Sequence, residues 1–212
     1  MKASRTLSAA SAKASEQGDV SSLLMMLDYF HPLDETARQF MATHLKPLKI
    51  NRRKLLLKEG EICQHIYFIK SGAVRGYVVE GSQDITTWIT VENEMVTSIA
   101  SLNEQAPCTE NIQAIEDCEL LTLTYDDLEE LYRVSPSFNI TGRKLLQRYY
   151  WDAEQRAFIA RLTKAENKYR HFLTRHQHLA NRIPLKFISS YLGMTLETLS
   201  RIRKKISISP GS

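Results

Sequence analysis

The residues whose chemistry stands out lie near the end of the chain, where the sequence reads GMTLETLSRIRKK. On a helix, the apolar positions Leu199 and Ile202 fall on one side, and acidic, basic and hydroxyl side chains fall on the other. An α-helix fits the major groove of B-form DNA, where arginine can donate two hydrogen bonds to guanine and glutamate can accept one from cytosine. The pattern therefore predicts a base-reading helix, with Thr195, Glu197, Thr198, Ser200, Arg201 and Lys204 on its polar side.

Within this helix, Arg201 is predicted to contact guanine and Glu197 to contact cytosine. Because a helix that binds polyanions without selectivity gains nothing from an acid, Glu197 favours base reading over a merely solvated surface helix. Phosphate contacts fix orientation and carry little sequence information. The residues predicted to make them are Lys186, Arg203, Lys204 and Lys205.

The preceding segment, IPLKFISSYLG, predicts a short helix that starts at Pro184 and ends at Gly193. Gly193 can take the left-handed conformation that terminates a helix, and Thr195 can cap the next one. Two short helices joined by a tight glycine-containing turn, with apolar residues facing each other, indicate a helix-turn-helix.

Charge is unevenly distributed along the chain. The whole chain carries a formal charge of +4. From residue 168 onward there are nine basic residues and one acid, Glu197, which gives +8 and leaves −4 for the remainder. An acidic body with a basic end indicates that this end binds a polyanion, although a solvated basic surface remains the alternative. The nine basic residues are Lys168, Arg170, Arg175, Arg182, Lys186, Arg201, Arg203, Lys204 and Lys205.

The rest of the chain predicts a sequence of elements that would support such a helix. We expect a flexible tail at residues 1–20, two short helices, and then short strands rich in valine, isoleucine and threonine. The strand segments include HIYFIKSG, AVRGYVVEG and MVTSIASL, and their spacing favours a small sandwich or barrel. The expected fold is α+β: a β-roll domain at 21–135, a linking helix at 136–163 and a helix-turn-helix domain at 164–212.

The linking helix is long, because residues 139–162 contain no proline and no glycine after Gly142. Its apolar positions are numerous enough to pack on the barrel with one side and on a second copy with the other. A homodimer seam is therefore predicted, with packing inside one chain as the alternative. The predicted seam residues are Leu145, Tyr149, Ala153, Ile159 and Leu162.

Other classes of protein are disfavoured by what the sequence contains. No apolar run is long enough to span a membrane and the N-terminus does not resemble a secretory signal, so we expect a cytoplasmic protein without a membrane partner. The three cysteines, Cys63, Cys108 and Cys118, have no metal-ligand spacing. We expect reduced thiols and neither a metal nor a cofactor.

Together these parts resemble the Crp/Fnr superfamily of bacterial transcription regulators, over about Val20 to Ile206. The segments that carry the resemblance are HIYFIKSGAVRGYVVE, AIEDCELLTLTYDDLEEL and GMTLETLSRIRKKI. It implies a cyclic-nucleotide-binding-like roll, a homodimer, double-stranded DNA and RNA polymerase as partners, and a small-molecule effector of unknown identity. The family's recognition helix begins with an arginine before the glutamate, and that position is Leu196 here, which puts the usual target sequence in doubt.

The resemblance also identifies where a cyclic nucleotide would bind. The family's Gly-Glu pair aligns with Thr97 and Ser98, and its Arg-Ser pair aligns with Cys108 and Thr109. A buried cyclic phosphate would lose its arginine partner, so we do not expect cyclic AMP to bind. These four residues are the candidate lining of a pocket for a less anionic ligand; a purely structural barrel is the equal alternative.

Two other functions are less well supported by the sequence. A metal-dependent β-roll enzyme needs several histidines and a carboxylate in the barrel, and His65 is the only histidine there, so we expect no enzymatic activity. A ligand- or partner-binding signalling module without DNA binding does not require the basic terminal unit. The family's wing would need residues beyond Ser207, and we expect this chain to lack it.

Overall fold

The computed structural model describes residues 20–208, with side chains through Ile206. The predicted tail at residues 1–20 lies, apart from Val20, outside the described residues. By its internal contacts the described chain divides into two units, 20–74 with 90–147 and 75–89 with 148–208. The first unit holds most of the β-roll. The second combines a β-hairpin with the C-terminal helices.

The first unit begins with the two predicted short helices, α1 (Ser21–Phe30) and α2 (Glu35–His44). Asp34 caps α2, because its carboxylate accepts a hydrogen bond of 2.7 Å from the backbone N–H of Ala37. The apolar face of both helices is buried against strands and a later helix in one core. That core includes Leu23, Leu27, Met41, Phe68, Leu121, Leu131 and Phe138.

Within residues 20–208, eight short strands form the roll, as two four-stranded sheets. The first sheet has the order β1-β8-β3-β6 and is antiparallel throughout. In the second, β2 pairs with β7, and β4 lies next to β5. The strands are β1 (Lys46–Ile50), β2 (Leu55–Leu57), β3 (His65–Ser71), β4 (Val74–Glu80), β5 (Gln83–Thr90), β6 (Met95–Val96), β7 (Asn111–Ala114) and β8 (Cys118–Thr124).

One strand prediction is wrong in part. The segment MVTSIASL was expected to be a single strand, but β6 ends at Val96 and helix α3 spans Ile99–Glu104. This helix buries Ser101, which accepts a 2.9 Å hydrogen bond from the backbone N–H of Cys63. The alternating pattern in the sequence is too short to distinguish one turn of strand from one turn of helix.

Five further helices follow β8 in the described part of the chain. Helix α4 spans Tyr125–Val134, and α5 spans Phe138–Arg161, in agreement with the predicted long helix. The C-terminal helices are α6 (Ala165–His176), α7 (Leu185–Tyr191) and α8 (Leu196–Ile208), with a 3-10 turn at Gln177–Leu179 between α6 and α7. Among the helices of residues 20–208, none is long and apolar enough to cross a lipid bilayer.

Candidate nucleic-acid interface

The two helices α7 and α8 form the predicted helix-turn-helix. Gly193, between them, has a φ of +61°, the left-handed conformation that ends a helix without a steric penalty. Its backbone N–H donates to the carbonyl of Ser190 at 3.0 Å, and the N–H of Met194 donates to the carbonyl of Ser189 at 3.0 Å. These bonds close the turn. Pro184 is the N-cap of α7, so the helix begins at Leu185, one residue later than predicted.

The inner side of the motif is fully packed. Leu199 of α8 is 0% exposed and Ile188 of α7 is 0% exposed. Leu192 and Ile202 are also buried beside them. Because burying one such aliphatic side chain contributes roughly 1.5–3 kcal/mol, this contact fixes the angle at which α8 is held.

The N-terminus of α8 is capped as predicted. The hydroxyl oxygen of Thr195 accepts a 3.1 Å hydrogen bond from the backbone N–H of Thr198, and the Thr195 hydroxyl lies 3.1 Å from the hydroxyl of Thr198. Glu197 lies in the first turn. Hydrogen bonds from its own backbone N–H and from Thr195 hold the pKa of the Glu197 carboxyl below its ordinary value, so the side chain is anionic at neutral pH.

Between Thr195 and Lys205, the outer side of α8 is exposed except at Thr198. The predicted base-reading side chains line it, with Thr198 half-buried beside the cap. A helix packed on one side and polar on the other can enter a groove without losing its own core contacts. The exposed residues of this side are Thr195, Glu197, Ser200, Arg201 and Lys204.

Two of the residues predicted to contact phosphates form bonds within the chain. The Arg203 guanidinium donates to the carbonyl of Ala180 and, at 2.8 Å, to the side chain of Asn181. The Lys205 ammonium forms a 2.7 Å ion pair with Glu166 of α6. Lys186 is exposed, and its ammonium lies 4.7 Å from the centre of the Phe187 ring.

An arginine that the sequence does not single out belongs to the same unit. Arg75, on β4, is 2% exposed and contacts both β5 and α7. One signal was available in the sequence: a lone arginine inside an otherwise apolar strand needs a partner if it is buried. Its partners, however, lie on an element more than 100 residues away as well as on the next strand, and no spacing in the sequence reports that contact.

The four candidate pocket residues of the roll differ from the α8 face. The Thr97 hydroxyl donates to the carbonyl of His65 at 3.1 Å and lies 3.3 Å from the sulfur of Cys63. Ser98 and Cys108 are buried, and the Cys108 thiol donates to the carbonyl of Lys58 at 3.1 Å. Thr109 is exposed. Three of the four are thus buried or bonded within their own chain.

Helix α5 carries two apolar faces. Leu145 packs against the core of the first unit and Ile159 is buried, whereas Tyr149, Ala153 and Leu162 are half-buried. A different stripe, at alternating spacings of four and three residues as in a coiled-coil seam, is exposed at every position except the half-buried Ala153. It consists of Leu146, Tyr150, Ala153, Ala157 and Ala160, of which only Ala153 belongs to the predicted seam.

The cysteines and histidines form no cluster in the described chain. All three cysteines are free and buried. Between residues 20 and 208 no group of three or more histidine, cysteine or carboxylate side chains is placed to hold a metal ion. Burial lowers the pKa of His176, beside Phe172, to about 4, so this histidine is neutral at neutral pH.

Comparison with protein families gives a match in the roll. A family model for the cyclic nucleotide-binding domain matches residues 47–135. The chain is 25% identical over 169 residues to the transcriptional activator protein FnrA of Stutzerimonas stutzeri, covering 74% of this chain and 68% of that protein. It is 26% identical over 166 residues to the fumarate and nitrate reduction regulatory protein of Yersinia pestis, covering 72% and 65%.

Solved structures with the same fold cover most of the chain. The c-di-GMP responsive global regulator CLP of Xanthomonas campestris superposes with a TM-score of 0.64 at 16% identity, over 84% of this chain and 96% of that one. FixK2 of Bradyrhizobium japonicum gives a TM-score of 0.64 at 18% identity, over 79% and 89%. The roll, the long helix and the terminal helix pair thus match the fold of these two proteins, which agrees with the resemblance of the sequence to the Crp/Fnr superfamily.

Proposed function

We propose that this protein is a cytoplasmic, homodimeric transcription regulator that binds double-stranded DNA and has no catalytic role. One observation carries the proposal: the outer side of α8 presents Glu197, Ser200 and Arg201 to solvent while its inner side is packed against α7. A rigid helix with an acid and bases on its free side suits the reading of base edges in the major groove.

The intrachain bonds of Arg203 and Lys205 support a second role for these two residues, besides the phosphate contacts predicted for them. Both hold α8 to neighbouring segments, Arg203 through Ala180 and Lys205 through Glu166. We therefore assign the orientation of α8 to this pair and the main phosphate contacts to Lys186 and Lys204, which are exposed. Phosphate contacts from a few such residues position the protein on the duplex.

The homodimer is proposed on the exposed stripe of α5. Leu146 is 55% exposed and Tyr150 is 68% exposed, and the smaller side chains Ala157 and Ala160 continue the stripe. Large apolar side chains exposed at coiled-coil spacing gain free energy when a second copy covers them. Two copies would present two α8 helices to half-sites about one helical turn apart, ~34 Å.

The candidate pocket residues limit which effectors the roll can bind. Because Thr97 and Cys108 use their polar hydrogens within the chain, we propose that this part of the roll does not hold a cyclic nucleotide. A small effector of other chemistry is the remaining route of control through the roll. RNA polymerase is the protein partner that a promoter-bound regulator of this superfamily would contact.

Salt-dependent duplex binding tests the DNA-binding part. Affinity for a mixed-sequence duplex should fall steeply as salt rises, because binding releases counterions from the phosphates. Lys204→Ala should reduce the slope of log affinity against log salt by about 1. Salt-independent binding, or no binding at low salt, would contradict the proposal and favour a signalling module without DNA binding.

Sedimentation of seam variants tests the dimer. Tyr150→Glu places a charge in the exposed stripe, and we expect it to shift the protein from dimer to monomer at micromolar concentration. Phe158 is 52% exposed on the same helix but lies off the stripe, so Phe158→Glu is the matched control and should leave the dimer intact. If Phe158→Glu alone separates the protomers, the seam lies on another face of α5.

A further inference from the structure

The β4–β5 hairpin carries a buried arginine, Arg75, that pairs with a half-exposed carboxylate, Asp84. The Arg75 guanidinium donates to the Asp84 carboxylate at 2.7 Å and to the Thr86 hydroxyl at 3.0 Å. Asp84 and Thr86 are two residues apart on β5, so they share a face, as successive strand positions alternate. A buried arginine is tolerated only when it is paired in this way.

Helix α7 lies directly on this pair. The Arg75 guanidinium is 4.1 Å from the centre of the Phe187 ring and 4.2 Å from that of Tyr77, so it is held between the hairpin and the helix. The Ser190 hydroxyl oxygen accepts a 2.9 Å hydrogen bond from the Thr86 backbone N–H. The same hydroxyl donates to the Asp84 carbonyl at 3.2 Å.

Ser190 thus satisfies backbone groups of an edge strand. In its sheet, β5 is the last strand of the order, and its outer edge has no strand partner among residues 20–208. A single side chain from α7 supplies both an acceptor and a donor to that edge. Bonds to water can replace these two hydrogen bonds when the hairpin moves away from α7.

Lys186 lies on the same side of α7 as Ser190, and its side chain is exposed. Ser190 follows Lys186 by four residues, so the two lie on one face of the helix. The Arg75 hydrogen bond, with a contribution from the charge of Lys186, lowers the pKa of the Asp84 carboxyl, which is therefore ionised at neutral pH. The docked hairpin consequently places a negative charge beside a lysine that is proposed to contact DNA phosphates.

In a helix-turn-helix the first helix crosses the DNA backbone. We propose that the β4–β5 hairpin is an inhibitory latch on the DNA-binding helices: docked on α7 through Arg75, Phe187 and Ser190, it competes with the DNA backbone for that helix. This inference rests on the proposed function and adds its regulation. An effector or partner that releases the hairpin would raise the affinity for DNA, since apparent affinity scales with the competent fraction.

Ser190→Ala tests the latch, with Ser189→Ala as the matched control. The Ser189 hydroxyl donates to the Lys186 carbonyl within its own helix at 3.0 Å and makes no latch bond. We expect Ser190→Ala to speed hydrogen exchange of the Thr86 amide several-fold and to tighten binding of a fluorescent mixed-sequence duplex about fivefold, the equivalent of one net hydrogen bond. Ser189→Ala should change neither the exchange rate of the Thr86 amide nor the affinity for the duplex. Phe187→Leu, which keeps an apolar side chain but removes the ring over Arg75, should act in the same direction as Ser190→Ala.

The outcomes separate the latch from DNA binding itself. If wild type and Ser190→Ala bind the duplex with equal affinity, or the variant binds more weakly, the latch is overturned and DNA binding stands. If neither protein binds, both ideas fail. If Ser190→Ala binds and wild type does not, the latch is supported in its strongest form. An unchanged Thr86 exchange rate in Ser190→Ala would also overturn the latch, because the bond would then not hold the hairpin.

Discussion

The outer side of α8 and the four candidate pocket residues of the roll both carry polar side chains and use them in opposite ways. On α8, Glu197, Ser200 and Arg201 are exposed on a helix whose inner side is fully packed. In the roll, Thr97 and Cys108 turn their polar hydrogens to carbonyls of their own chain. A surface that binds a partner leaves its polar atoms accessible, whereas polar atoms bonded within the chain contribute to folding stability. Substitutions should therefore reduce DNA affinity in the first region and folding stability in the second.

The largest effect is expected from the inner side of α8. Leu199→Ala should lower the free energy of unfolding by about 2–5 kcal/mol, because Leu199 is 0% exposed and truncation leaves a cavity. Chemical denaturation of the wild type and of Leu199→Ala measures this loss of stability. The neighbouring change Ser200→Ala should stay within about 0.5 kcal/mol, as a surface substitution does. Equal losses for the two would mean that α8 does not have one packed and one free side.

A smaller effect, on binding alone, is expected from the outer side. Arg201→Ala should weaken binding to the preferred duplex by about 1–3 kcal/mol and relax preference at one base pair per half-site. Lys204→Ala should weaken all sequences alike, because phosphates carry no base identity. Affinities measured on duplexes changed one base pair at a time separate the two. Identical sequence profiles for both variants would remove the base-reading role of Arg201.

Substitutions at the candidate pocket residues of the roll should change folding stability only. Thr97→Val removes the hydroxyl that donates to the His65 carbonyl, and we expect a loss of about 1 kcal/mol in the free energy of unfolding. Thr109 is exposed, so Thr109→Val is the control and should change stability by less than about 0.5 kcal/mol. A Thr97→Val protein with normal stability but altered DNA affinity would show that this region transmits a signal.

The smallest expected effect is that of cyclic AMP. Millimolar cyclic AMP should leave the thermal midpoint and the duplex affinity unchanged, because the positions of the family's glutamate and arginine are Ser98 and Cys108. A ligand that bound the folded state would raise the midpoint with its concentration. Such a rise would contradict the contrast between the two regions and restore the roll as a nucleotide sensor.

The sequence predicted the features that depend on local backbone preferences. Gly193 and Thr195 have strong conformational and capping preferences, and both positions agree with the prediction. The long helix α5 was predicted from the absence of helix-breaking residues. Its seam was harder to define, because helical periodicity alone does not tell which apolar side faces the chain's own core, where Leu145 lies.

What could not be predicted depends on contacts between distant segments. Lys205 was predicted to contact phosphates, and its ion pair with Glu166, 39 residues away on α6, could not be predicted. The hairpin contact is more distant still, since Ser190 meets Thr86 across 104 positions. A single sequence reports which residues can form a charge pair or an edge-strand contact, and the fold decides which of them meet.

Photo-cross-linking from α8 tests the central claim most directly, that the outer side of this helix enters the major groove. A photoreactive residue would replace Ser200 in one protein and Thr43, an exposed position on α2, in another. We predict that position 200 forms cross-links to bases of a bound duplex through their major-groove edges and that position 43 forms none. Cross-links from position 43 alone, or none from either position on a duplex that is demonstrably bound, would contradict the account.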